Sequence, residues 1–140
     1  MENYYNIPFS FEALLRQERK GLSCSVQESI IQNISLIIST KLNEFRYDLA
    51  YGCKIWEVDF IVPSNINIWK DEIKASLEEA ILKYEHRIEN VEEFNIKVNV
   101  DPKNAKRNNQ ILDFEIRGSI KGTSKRFQYK DTLFFSPYSR

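Results

Sequence analysis

Three stretches towards the C-terminal end of the chain alternate apolar and polar residues. Phe94, Ile96, Val98 and Val100 are interleaved with Asn95, Lys97 and Asn99. Leu112, Phe114, Ile116 and Ile120 are interleaved with Asp113, Glu115, Arg117 and Ser119. Phe127, Tyr129, Leu133 and Phe135 form a third run, in which Phe134 breaks the polar positions and puts a ring on the outer side. A period of two sends successive side chains to opposite faces, so each run predicts a strand with one apolar face. Asp101–Asn109, opened by Asp101-Pro102, and Gly122-Thr123-Ser124 read as the connections. One polar and one apolar face argue for an antiparallel meander covered on a single side.

Two helical stripes supply the cover. Ser25 and Glu28 have capping-box spacing, and behind them Val26, Ile30, Ile34, Ile37 and Ile38 recur at helical intervals, with Ile31 widening the stripe. These predict a helix from Ser25 to Leu42. Isoleucine is a poor intrinsic helix former, so this helix must be held by packing against the core. In the second helix, after possible caps at Ser64–Asn67, the apolar positions are Trp69, Ile73, Leu77, Ala80, Ile81, Tyr84 and Ile88. Lys70, Asp71, Glu72, Lys74, Glu78, Glu79 and Lys83 make its solvated face. Between the helices, Asn43–Lys54 looks irregular and ends in a Tyr51-Gly52 turn. Trp56, Val58, Phe60 and Val62 then alternate up to Pro63 and suggest an extended stretch able to widen the sheet. At the start of the chain, Tyr5, Ile7, Phe9 and Phe11 suit an extended arm, while Ser10 could equally cap a short helix carrying Phe11, Leu14 and Leu15. The expected organisation is an N-terminal arm over residues 1–21 and a single domain over residues 22–140. Its class is α+β: two main helices packed on one face of a three- to four-stranded antiparallel sheet.

Composition narrows the function. With 140 residues, one domain can bury about 70% of its unfolded surface and needs no staple. Lysine plus arginine equals aspartate plus glutamate at 20 each, so there is no global positive field for nucleic acid or an anionic membrane. The apolar runs are too short and too charged to span a bilayer, and the first residues lack the basic and apolar regions of a signal peptide. Cys24 and Cys53 have neither close spacing nor histidine neighbours, and read as reduced thiols of a cytoplasmic protein.

Candidate chemistry is sparse. There is a single histidine, His86, which cannot build a histidine metal cluster. No phosphate-cradling glycine motif occurs, and no cofactor is expected. Carboxylates are plentiful enough that counting alone leaves room for a glycosidase-type pair, although Glu28 or Glu44 with Glu57 has no motif behind it. The segment Tyr84-Glu85-His86-Arg87-Ile88 is the odd feature. Read as helix, it turns Tyr84 and Ile88 to the core and puts Glu85 and Arg87 on opposite flanks, where they do not pair. Each then either ties the helix end to a neighbouring loop or offers an oriented contact to another subunit.

These residues carry a resemblance. Ser29-Ile30, Asn33-Ile34 and Leu36–Thr40, followed by Tyr51-Gly52 and then Tyr84–Ile88, resemble in order and spacing the TssE family of type VI secretion baseplate subunits. That family is related to the sheath-initiator proteins of contractile phage tails, historically labelled lysozyme-like. Tyr84–Ile88 is similar to the family's Glu-Pro-Arg signature, with His86 in place of the proline. Tyr4–Pro8 and Ile55–Glu57 look like Bacteroidetes-type versions. The resemblance implies a non-enzymatic, cytoplasmic subunit of a baseplate docked at the inner membrane. It implies docking to TssF, TssG and TssK through Glu85, His86 and Arg87, and a start for the TssB–TssC sheath around the Hcp tube. Independently, a free sheet edge is a hazard unless it is blocked or used, and it can accept a strand from another chain. Lys125–Phe135 is the expected edge, with Phe127, Tyr129, Leu133, Phe134 and Phe135 in the pairing strand. The alternatives are a small lysozyme-like peptidoglycan hydrolase, or the same subunit in a phage tail or an extracellular contractile particle. No nucleic-acid partner and no membrane insertion are expected.

Overall fold

The computed structural model describes residues 4–8, 10–16, 22–57, 66–100, 102–103 and 110–135. Strands β3 (Ile88–Val100), β4 (Gln110–Ile120) and β5 (Arg126–Phe135) form an antiparallel sheet in that order. The register opposes Ile96 to Phe114 and Ile116 to Tyr129, so the apolar positions of all three strands share a face. Leu112, Phe114, Ile116, Ile120, Phe127 and Tyr129 are all buried there.

Helix α2 (Val26–Ser39) lies across β5 and helix α3 (Ile66–Tyr84) across β3. From α2, Ile30, Ile34 and Ile38 join Ile73, Leu77 and Ile81 of α3 in one core with the sheet. Burying each such side chain stabilises by about 1.5–3 kcal/mol, which offsets the low helix propensity of the isoleucines. The capping box forms as the spacing predicts: Glu28 N–H donates to Ser25 Oγ at 3.2 Å, and Ser25 N–H donates to Glu28 Oε2 at 2.7 Å. At the other end, Trp56 Nε1 donates to Ile38 O at 2.7 Å, a carbonyl past the last helical bond, and Thr40 Oγ1 donates at 2.6 Å to Leu36 O, which also accepts the Thr40 N–H. The Trp56 stretch thus departs from expectation. Lys54–Trp56 is a single 3-10 turn, because the indole is used to close α2. Val58, Phe60 and Val62 lie outside the described residues.

Three further departures concern boundaries. α2 ends at Ser39, with Thr40 extended, rather than near Leu42. α3 stops at Tyr84 rather than Ile88, and β3 begins at Ile88, six residues before the alternating run. At the N-terminus each reading is met only in part, and Phe9 lies outside the described residues. β1 (Tyr4–Tyr5) pairs antiparallel with β2 (Ser23–Cys24), and α1 (Phe11–Leu15) follows the arm with Phe11, Leu14 and Leu15 exposed.

Gly52 anchors the loop after α2. Its φ of +122° is one L side chains rarely adopt, and a Cβ there would collide with the Thr40 carbonyl oxygen. Gly122, at φ +72°, has nothing within 4 Å of its would-be Cβ. Gly52→Ala should therefore lower stability by about 2–3 kcal/mol and Gly122→Ala by about 1 kcal/mol, measured by urea unfolding. Equal losses at the two sites would show that the Thr40 contact is not tight.

Candidate functional site

Two regions gather the predicted site residues. The first is the turn between α3 and β3. Because the helix ends at Tyr84, Glu85 and Arg87 sit in a turn rather than on opposite helical flanks, and they do pair. Arg87 Nε donates to Glu85 Oε1 at 2.7 Å and Arg87 Nη2 to Glu85 Oε2 at 2.6 Å, a bidentate fork. The expectation that they stay apart is corrected by the helix end itself. Asn33 of α2 donates through Nδ2 to both Tyr84 O (3.3 Å) and Glu85 Oε2 (2.8 Å), and the Glu85 carboxylate also accepts the Arg87 N–H. These bonds use the polar groups that a continuing helix would require.

The network extends in both directions. Tyr51 Oη donates to Asn33 Oδ1, and the Tyr51 and Tyr84 rings meet edge-on at 4.9 Å. Arg87 Nη1 donates to Ser29 Oγ at 2.8 Å, and its guanidinium lies over the Tyr4 ring at 4.9 Å, within cation–π range. The residues behind the resemblance (Ser29, Asn33, Tyr51, Glu85 and Arg87) are thus one physical cluster. Glu85 is 2% exposed, while His86 points into solvent and Arg87 is part-exposed at the rim. Burial alone would raise the Glu85 carboxyl. The hydrogen bonds from Arg87 and Asn33, with the guanidinium charge, outweigh it and hold the group below its ordinary 4.5.

The second region is the outer margin of β5. Ile120 N–H donates to Lys125 O, and the β4–β5 register runs without a shift from Ser119↔Arg126 to Gln110↔Phe135. Hydrogen-bonded and non-bonded pairs alternate in such a ladder. Phe127, Tyr129, Asp131 and Leu133 therefore turn their peptide groups to β4. Arg126, Gln128, Lys130, Thr132 and Phe134 turn theirs outward. Phe127 and Tyr129 are core residues, Leu133 is half-buried, and Phe134 is 71% exposed. Phe135 closes the strand.

The carboxylates suit structure better than hydrolysis. A hollow of about 330 Å³ on the polar sheet face is lined by Asp113 and Glu115, among others. Asp113 accepts from Asn99 and Thr132, and Glu115 from Arg117 and Gln128. Desolvation pushes Glu115 up, but Gln128, Arg117 and Lys130 hold it low on balance. A glycosidase acid needs a raised carboxyl, and Glu85 and Glu115 are both held low. Among the described residues no group of three or more His, Cys, Asp or Glu could hold a metal, and no helix is long and apolar enough to cross a membrane.

The family model for baseplate wedge protein gp25 matches residues 24–125, and the chain belongs to that family of contractile-tail baseplate components. Among solved structures it is similar to a protein from Geobacter sulfurreducens described as a candidate tail lysozyme. The two are 26% identical, with a TM-score of 0.54, over 79% of this chain and 92% of that one. No curated protein matches. The family match bears out the resemblance at family level.

The Glu85 cluster makes stability depend on pH. With its folded-state carboxyl below 4.5, Glu85 contributes stability that is fully present above that value and is lost as pH falls through the lower, folded one. Glu85→Gln should be about 2 kcal/mol less stable than the parent at pH 7, the difference shrinking as pH falls below about 4.5. A constant difference down to pH 3 in urea titrations would mean that the carboxylate charge is not what the cluster uses.

Proposed function

We propose that this chain is a non-catalytic baseplate subunit of a contractile injection machine of the type VI secretion kind, acting on the cytoplasmic side of the inner membrane. It seats on wedge subunits of the TssF, TssG and TssK type through the Glu85–Arg87 turn. It begins the TssB–TssC sheath around an Hcp tube by adding a strand to β5. The observation that carries this reading is the outer margin of β5, whose peptide groups at Gln128, Lys130 and Thr132 point away from β4 in a chain of a baseplate family. Main-chain hydrogen bonds from such an edge fix the register of an incoming strand. At the turn, Glu85 is buried and acts by holding Arg87, so His86 and the Arg87 rim are what a wedge subunit touches.

The two surfaces separate by mutation. Proline is tolerated on an edge strand where the lost N–H faces outward. Gln128→Pro should leave the fold and wedge co-purification intact while reducing sheath capture by about tenfold or more. His86→Glu should do the reverse, weakening co-purification with the wedge at an unchanged melting temperature. Full sheath assembly on Gln128→Pro baseplates would place initiation elsewhere. Undiminished wedge binding by His86→Glu would remove the turn from the interface.

A further inference from the structure

An acidic residue stands on the apolar side of β5. Asp131 falls between Tyr129 and Leu133 in the alternation, so its side chain leaves the sheet on the face that α2 covers. It borders a groove of about 360 Å³ between β5, α2 and the N-terminal arm, whose apolar walls are Ile7, Ile31 and Leu36, with Gln32 and Ser35 on the helix. The arm is fixed there by Gln32, which accepts the Ile7 N–H at 3.2 Å and donates to Asn6 Oδ1 at 3.2 Å.

The Asp131 carboxylate accepts two neutral hydrogen bonds, from Tyr129 Oη at 2.7 Å and from the Thr132 N–H at 2.8 Å. Among the described residues it has no ion-pair partner. Lys130, which also borders the groove, has its ammonium on the other side of the sheet, 3.5 Å from Glu115. Among the described residues, the groove therefore carries a carboxylate without a counter-ion, directly beside an edge whose Thr132 N–H that same carboxylate covers.

We propose that this groove receives a lysine or arginine side chain from the strand added to β5, with Asp131 as its counter-ion. The inference rests on the strand-pairing reading above. An added strand lies about 4.8 Å from β5. Opposite Asp131, whose peptide groups face β4, an antiparallel partner forms a non-hydrogen-bonded pair, the type that brings side chains closest. A lysine or arginine there lays its aliphatic stem over Ile31 and Leu36 and its charge on Asp131. An acidic residue would be repelled, and an apolar one would leave the carboxylate desolvated and unpaired. The cation draws the carboxylate into the groove and releases the Thr132 N–H to the new ladder. Register selection and edge opening become one event.

The test uses full-length protein in assembled baseplates with the sheath protein of the same host. A photo-cross-linking residue at Leu36, which is 40% exposed, should capture a sheath peptide with Lys or Arg within two residues of the link. Asp131→Asn should lower sheath capture about tenfold, Asp131→Glu should retain it, and Asp131→Lys should abolish it until the trapped basic residue is changed to Glu. A trapped peptide without a basic residue would overturn the proposal. So would an Asp131→Asn protein that self-associates yet captures sheath fully, since the carboxylate would then only guard the edge against self-pairing. Full capture by Gln128→Pro would sink the strand-pairing reading itself. Loss with Gln128→Pro but none with Asp131→Lys would sink only the basic-residue inference.

Discussion

A carboxylate taken out of water must be fully bonded or it destabilises the fold, and Glu85 meets that condition through residues from distant parts of the chain. Asn33 comes from the middle of α2, and Arg87 from the lead into β3. Tyr51 reaches Asn33 from the loop closed by Gly52, and Tyr4 covers the guanidinium from the arm. The end of α3, its position against α2 and the start of the sheet are thus set by one group of charge-assisted hydrogen bonds. The apolar core supplies most of the stability. The Glu85 cluster decides how the elements over that core are joined.

That arrangement divides the surface. Both helices are committed to one face of the sheet, which leaves the other face to the Glu93, Glu115, Arg117 and Lys130 charges. Among the described residues, β3 and β5 are the two margins. The locked turn with exposed His86 leads into β3; β5 turns the peptide groups of Gln128, Lys130 and Thr132 away from β4, and β3 does the same with those of Phe94, Ile96 and Val98. On the proposed function, a subunit held at the turn before β3 would keep the β5 margin available for a strand from another chain. Asp131, with the charged Lys130 and Arg126 that pair with Glu115 and Glu92 on the polar face, fits the usual protection of an edge that must not pair with copies of itself.

Much of this was legible in the residues. The Ser25–Glu28 capping box, the isoleucine stripe and the three alternating runs are local patterns, and each forms where its spacing puts it. The end of α3 was not legible, because Tyr84 and Ile88 are four apart and satisfy a helical period. What stops the helix is Asn33, fifty-one residues away from Tyr84 in sequence, bonding the Tyr84 carbonyl, and periodicity has no access to that. Reading residues 84–88 as helix then hid the Glu85–Arg87 pair. Trp56 alternated convincingly with Glu57 and Asp59, yet its indole is spent on the last turn of α2. Asp131 did leave a signal, an acid where the third run should be apolar.

On the proposed function, β5 offers its outer peptide groups to another chain. Amide hydrogen exchange of the isolated protein and of sheath-bearing baseplates reads those groups directly. Gln128 and Lys130 should exchange quickly in the isolated chain and slow by orders of magnitude once the sheath is present, while Phe127 and Tyr129, bonded to β4, stay slow in both. Rapid exchange at Gln128 and Lys130 in the assembled particle would contradict it.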